Sequence, residues 1–429
     1  MYGLIDVNNM YVSCERSFNP SLNGKPVIAL GNNDHCVIAR SQEAKNVGIK
    51  MGQPLFQIRE LIEQHQVQIC SSNFELYGDL SSRLMSLLTN FADHVEPYSI
   101  DEAFVQIDTS FEGIYPSYQG LGSAMRDTVA QWLRLPICVG FGLTKTLAKV
   151  ANKCAKTRPE LEGVCVINSL ESANEALSDF KIKDLWGVGS RYAAMLKKNG
   201  IETALQLRDV GDIDWVRDRM TVNGVRMVYE LRGYPCRLLE INAPPKKTIC
   251  TAMSFGQLIP DLKNITDALT TYLARCCEKL RRQESLARHV TVFLHTNPNR
   301  KTPGNGLPAK QYSASRSIRL PHHTNHLPDF LRYAIPVVEN LLQLGYNYQK
   351  VGIILNDIVP ESFRQQGVFS DWPDEKALQI GKTIDRLNHR YGRDKVRLAS
   401  QLYQPDWSQV QGSLSQAYTT DWKQILKAS

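Results

Sequence analysis

Three carboxylates stand where a fold could bring them together. Asp6 nearly closes the apolar run YGLIDV (2–7), and Asp101 and Glu102 come just before AFVQID (103–108). Gathered acids repel one another unless cations neutralise them, and hard carboxylate oxygens suit Mg²⁺. Two such ions clamp the attacking and leaving oxygens of an in-line phosphoryl displacement, and the backbone carbonyl of Val7 could add a ligand. Singly each acid says little, because Asp at a strand end is most often a turn or cap residue.

The elements that would position these acids follow from apolar periodicity. YGLIDV reads as a strand, PVIAL (26–30) and HCVIA (35–39) as short strands, and 41–47 and 54–64 as helices. Residues 73–92 have helical spacing, with Leu76, Leu80, Leu84, Leu87 and Leu88 along one side. HVEPYS (94–99) and AFVQID form a strand pair, followed by a helix near 121–134 and the strand ICVGFGL (137–143). A helix over 144–156 and the strand GVCVI close this region. With 20–72 set aside as an insertion, the order is β-α-β-β-α-β. In that ferredoxin-like unit the first and third strands lie side by side, so Asp6 sits next to Asp101 and Glu102.

The rest of the chain reads in three parts. From 172 to 233 the pattern is helical and contains Gly187-Val188-Gly189, a turn that lets backbone N–H groups approach a phosphate closely. Pro244-Pro245-Lys246-Lys247 reads as a linker. A basic α+β segment runs to about 357, and a polar tail with scattered aromatics follows. Residues 241–350 hold 15 Lys+Arg against 6 Asp+Glu, so this stretch carries +9 of a chain whose net charge is +7. That asymmetry points to a polyanion, nucleic acid before membrane surface; a solvated basic face is the plainer alternative.

Composition sets the outer bounds. At 429 residues the chain holds more than one core, with two to four domains expected. Its 43% hydrophobic and 22% charged content is ordinary for globular protein. The ten cysteines include no CxxC pair and fall mostly in apolar runs, so reduced, structural thiols are expected. The opening MYGLIDVNN lacks the features of a secretory signal, and no apolar run reaches membrane-spanning length. The expected location is cytoplasmic, with no membrane partner.

DVNNMYVSCE (6–15), VIARSQEAKNVGIKMGQP (37–54), YSIDEAF (98–104) and GFGLTKTLAKVANKCAK (140–156) resemble successive signatures of the Y-family DNA polymerases. Within that family the chain is most similar to the UmuC-type branch, down to AYTTDW (417–422) near its end. The resemblance implies a right-hand polymerase of α/β and α+β domains. The palm, ferredoxin-like, would span 1–19 and 73–167, and small fingers 20–72. A helical thumb with a helix-hairpin-helix would cover 168–240 and an α+β little finger 243–357, with 358–429 as a partner-binding tail. It implies error-prone synthesis across damaged bases in an SOS-type response: a primer 3′-hydroxyl attacks a dNTP and pyrophosphate leaves. Small fingers would leave room for distorted templates.

The resemblance also places roles on residues. Asp6, Asp101 and Glu102 match the acids that hold two Mg²⁺ ions, with Val7 beside them. Tyr11 matches the steric gate against a 2′-hydroxyl, and Met10 stands next to it where relatives often carry Phe. Lys45 and Lys156 match triphosphate-binding cations. Gly187 and Gly189 match the DNA-binding hairpin, and Lys246, Arg275, Lys279, Arg281 and Arg282 are candidate phosphate contacts. Gln365 and Phe369 of QQGVF resemble a sliding-clamp peptide, although Gly367 and Val368 depart from its usual core. The implied partners are primer-template DNA, dNTP, a UmuD′-type accessory dimer, RecA and the sliding clamp. Trp372, Trp407, Tyr418 and Trp422 are candidate anchors for them. Two rivals are a palm-type nucleotide cyclase, which needs neither the glycine hairpin nor the basic segment, and a non-enzymatic scaffold, which needs none of the acids.

Overall fold

Strand β1 (Tyr2–Val7) is buried along nearly its whole length, as a continuous apolar run must be when both faces of a sheet are covered. Helix α1 (Met10–Phe18) follows at once, because Asn9 takes the left-handed conformation (φ 51°, ψ 46°) and turns the chain within two residues. The computed structural model describes residues 1–108, 114–300, 309–363, 375–401 and 405–426. The chain then makes an excursion through β2 (Val27–Leu30), β3 (Val37–Arg40), α2 (Gln42–Asn46), α3 (Arg59–His65) and β4 (Gln68–Ser71). These strands form a separate sheet, β3-β2-β4, over a small core that includes Ile28, Val37, Ile49 and Ile58.

The chain returns through α4 (Phe74–Leu88), whose first turn is capped by Asn73 accepting from the Leu76 N–H. There follow β5 (His94–Pro97), β6 (Glu102–Gln106), α5 (Tyr118–Leu133), β7 (Ile137–Gly142), α6 (Lys145–Thr157) and β8 (Val164–Ile167). Their sheet runs β5-β6-β1-β7-β8. The first and third strands of the ferredoxin-like unit are neighbours, as the element order predicts, and β8 adds a parallel strand beside β7. Helix α6 lies very close on β7: a Cβ at Gly140 would run into the backbone of Asn152, and one at Gly142 into that of Ala148. Only glycine permits that approach, which lowers the lysines of α6 toward the end of β1.

Helices α7 (Leu170–Ser178), α8 (Ser190–Lys198), α9 (Ala204–Arg208) and α10 (Ile213–Leu231) share a core with Leu147, Val150 and Ala151 of α6. Buried Glu230 staples this module to α6, accepting from the Thr146 N–H (3.1 Å), the Thr146 hydroxyl, and the N–H groups of Cys236 and Arg237.

Two compact units divide the chain: Met1–Ala243 with Gly412–Ser429, and Pro244–Gln411. The second contains β9 (Ile249–Ile259), α11 (Leu262–Arg282), β10 (Ser285–Thr296), β11 (Ser313–Thr324), α12 (Leu327–Leu341), β12 (Tyr348–Pro360) and α13 (Glu375–Tyr391). Its sheet runs β11-β10-β12-β9, with α11 and α12 packed on it. The strands outrun their apolar centres. SIRLP is the middle of a 12-residue strand, because backbone pairing with β10 carries through the polar residues before it.

The stretch after 358 is not a separate polar tail. β12 continues to Pro360, and Trp407 is buried in the core of the second unit, donating its indole N–H to Asp267 (2.5 Å) and meeting Tyr272 edge-on. Tyr418 stacks on Phe18 in the first unit, with ring centroids 4.9 Å apart. Both aromatics are therefore used within the chain, whereas Trp422 is 91% exposed. A buried carboxylate and an open ring face give Trp407 and Tyr418 intramolecular partners that sequence spacing does not reveal. Trp372, Gln365 and Phe369 lie outside the described residues. Among those described, no helix is long and apolar enough to cross a membrane.

Candidate active site

The register of β1 against β6 sets Asp6 directly opposite Glu102, and the Val7 N–H donates to the Asp101 carbonyl (2.9 Å). Asp101 sits in the turn before β6, where Ser99 organises the acids: its hydroxyl lies 2.5 Å from Asp101 Oδ1 and accepts from the Glu102 N–H. All three sequence-predicted acids thus meet at one end of the sheet.

Lysines answer them from α6. Lys156 Nζ lies 2.5 Å from Asp6 Oδ2, and Lys149 Nζ lies 3.1 and 3.2 Å from the two Glu102 oxygens. Burial drives the Asp6 carboxyl up to about 7; Lys156 pulls the other way and Glu102 adds to the rise. Among the described residues no three Asp, Glu, His or Cys side chains converge tightly enough to hold a metal as they stand. The donors nonetheless fit a hard divalent cation: a buried carboxylate, two further acids at the same strand ends, and ammonium groups in the position of positive charge.

A cavity of about 390 Å³ opens beside Asp6 and Asp101, lined also by Val7, Met10, Tyr11, Arg40, Lys45 and Lys156. Lys45 is held below its ordinary range by burial first, then by Arg40, Lys156 and Lys153. Cations that repel one another across a cavity are poised for a polyanion. Tyr11 is held rigidly: its ring stacks on Tyr77 (4.5 Å, 12°) and meets Phe74 edge-on. Met10 borders the cavity but is only 4% exposed, packed in the core near Cys14. Arg40 and Lys149 were missing from the sequence reading. Their signals were an Arg ending a strand and a Lys series at 145, 149, 153 and 156 along α6.

In the helical module Gly187 has φ 87°, and Gly189 starts α8 with open space around its Cα and no side-chain cap. In the second unit the candidate phosphate contacts divide. Arg281 forms a two-pronged pair with Asp385 (2.5 and 2.7 Å), and Arg275 pairs with Asp394 (3.4 Å). These two arginines hold α13 and the loop after it through acids more than a hundred residues away in the sequence. Lys279 reaches Thr251 and the Cys250 carbonyl; Lys246 is exposed, and Arg282 keeps a 75% exposed side chain beside Glu278.

The impB/mucB/samB family matches residues 5–153 and its C-terminal domain 246–368, while a domain of unknown function matches 379–428. Protein ImpB of Salmonella typhimurium is 37% identical over 99% of both chains, and protein UmuC of Salmonella typhimurium strain LT2 is 35% identical over the full length of both. DNA polymerase IV of Bacillus velezensis is 24% identical over 92% of this chain and 91% of its own. Among solved structures, a chimera of the Y-family polymerases Dbh and Dpo4 superposes with a TM-score of 0.66 at 20% identity, covering 84% of this chain and 99% of the chimera. A ternary insertion complex of Dbh gives 0.53 with the same coverage. With two family models and relatives more than 30% identical along nearly its whole length, the chain belongs to the impB/mucB/samB family, the UmuC-type branch of the Y-family DNA polymerases.

Proposed function

We propose that this polymerase performs error-prone, template-directed synthesis across damaged bases, transferring a nucleotide from dNTP to a primer 3′-hydroxyl with release of pyrophosphate. One observation carries the reading: a single cavity is lined by Asp6 and Asp101, by Arg40, Lys45 and Lys156, and by the stacked ring of Tyr11. Asp6, Asp101, Glu102 and the Val7 carbonyl would hold two Mg²⁺ ions, which supply Lewis-acid activation of the attacking oxygen and charge relief at the leaving one. Lys45 and Arg40 bind the triphosphate and orient it. Lys156, paired with Asp6 and lining the same cavity, would bind a phosphate oxygen, while Lys149 balances the charge of Glu102. Tyr11 lies under the sugar and excludes a 2′-hydroxyl.

In this reading residues 1–19 and 73–167 act as palm, 20–72 as fingers, 168–240 as thumb and 243–357 as little finger. Full-length similarity to UmuC supports a UmuD′-type dimer, RecA and a sliding clamp as partners at the nucleoid. Asp101→Asn and Glu102→Gln are expected to lower single-nucleotide addition at least about 10³-fold while primer-template affinity stays within about twofold. Near-normal extension by either variant would refute the assignment.

A further inference from the structure

The insertion that carries Arg40 and Lys45 joins the rest of the first unit by two chain crossings, at 19–20 and at 72–73. Arg16 of α1 also pairs with Glu43 (2.9 Å), and Val12 packs among Leu22, Val27 and Ala39; a further tie comes from the far end of the sequence. On the insertion side, the Gly412 N–H donates to Asp34 Oδ2 (2.7 Å), which also accepts from the Ser71 hydroxyl (2.8 Å). Ser71 and Ser413 then exchange bonds: the Ser71 N–H donates to the Ser413 carbonyl, and the Ser413 N–H donates to the Ser71 hydroxyl, each at 2.9 Å. The segment thus meets the end of β4 through a single parallel bridge, Ser71 to Leu414.

Two residues on, it crosses to the other side of the seam. Asn73, which caps α4, donates its amide to the Ser415 hydroxyl (3.0 Å) and the Gln416 carbonyl (3.2 Å). The Ser415 hydroxyl donates to Glu15 Oε1 (3.1 Å), the same oxygen that accepts from Tyr77 (2.7 Å). Tyr77 is the ring on which Tyr11 stacks. Glu15 is 2% exposed, so each of these donors matters to it. Tyr418 anchors the end of the segment on Phe18 of α1, the helix that carries Tyr11.

We propose that Gly412–Tyr418 is an internal brace of the nucleotide cavity, with Ser415 a positioning residue for the sugar gate Tyr11 through Glu15 and Tyr77. It rests on the reading of that cavity as the nucleotide site. The brace adds to the hold that α1 has on the insertion, and so to the spacing between Lys45 and Asp6, although no brace residue lines the cavity. Its loss loosens both the phosphate grip and the gate, leaving the reacting acids untouched.

The test uses full-length chains: the parent, Ser415→Ala, Ser415→Thr and Tyr418→Ala, with Tyr11→Ala marking an open gate. Single-nucleotide primer extension reads KM, kcat and the ratio of ribo- to deoxyribonucleotide added; amide hydrogen exchange reads the seam at 71–77. Ser415→Ala is expected to raise KM for dNTP about fivefold with kcat within about twofold, the scale of one lost hydrogen bond. It also raises the ribonucleotide share toward that of Tyr11→Ala and speeds exchange at 71–77. Tyr418→Ala shifts all three the same way, and Ser415→Thr, which keeps a hydroxyl, restores them. Unchanged exchange at the seam overturns the brace, as does an unchanged KM and ribonucleotide share in a chain that extends primers. A parent that adds no nucleotide overturns the reading of the cavity instead, and exchange alone then decides the brace.

Discussion

At the scale of single residues, the site is organised by the cost of burying charge. Asp6 is largely withdrawn from water, and burial lifts its carboxyl to about 7 even with Lys156 at 2.5 Å. Between the ordinary carboxylate value and about 7, the folded chain therefore retains a proton on Asp6 that the unfolded chain has shed. The stability this contributes is present at low pH and is lost as pH rises through that window. A divalent cation needs the ionised form and competes with the proton. The expected outcome is that Mg²⁺ raises the Tm little near about pH 6 and clearly more near about pH 8, and that Asp6→Asn flattens this dependence. An equal Mg²⁺ shift at both pH values would contradict the role given to Asp6.

At the scale of elements, closeness of packing decides which side chains reach the site and which are spent elsewhere. Gly140 and Gly142 let α6 settle on β7, so that its lysine series, unremarkable as a helix face, meets two strand-end acids. In the second unit the same closeness gives Arg281 an intramolecular partner: its side chain is 12% exposed and paired with Asp385 of α13. Arg281→Ala leaves a partly buried carboxylate uncompensated and is expected to cost about 3 kcal/mol in urea unfolding. Arg282→Ala should leave stability within about 0.5 kcal/mol but weaken DNA binding and lower its salt slope by about one. The opposite pattern would return Arg281 to the phosphate surface.

At the scale of the whole molecule, the last seventy residues are shared out rather than set apart. Trp407 belongs to the core of one unit and Tyr418 to the other, so truncation after 358 removes structure from both. Such a cut therefore reaches beyond the partner-binding tail that the family resemblance implies. Trp407→Ala is expected to destabilise the second unit by about 3 to 5 kcal/mol, as truncation of a buried Trp does. Trp422→Ala, at an exposed position, should leave the Tm unchanged while reducing co-purification with a UmuD′-type accessory dimer. If Trp422→Ala holds the dimer as tightly as the parent, that ring is not the anchor.

Much of this protein was legible in its sequence because the signals were local or periodic. Apolar runs and helical spacing predict the β-α-β-β-α-β order, and that topology alone puts Asp6 beside Asp101 and Glu102, as the register confirms. Ordered motifs at successive positions identify the family and single out Tyr11, Lys45 and Lys156, which share one cavity. What tertiary structure decided was pairing at long range. That Lys149 meets Glu102, that Arg281 belongs to Asp385, that Trp407 finds Asp267 and that Ser415 reaches Glu15 are contacts between residues 47 to 400 positions apart. Composition marks a lysine, an arginine or a tryptophan as available. Only the folded chain settles which carboxylate stands within hydrogen-bond reach, because a buried polar group takes its partner from whatever surface packing brings against it.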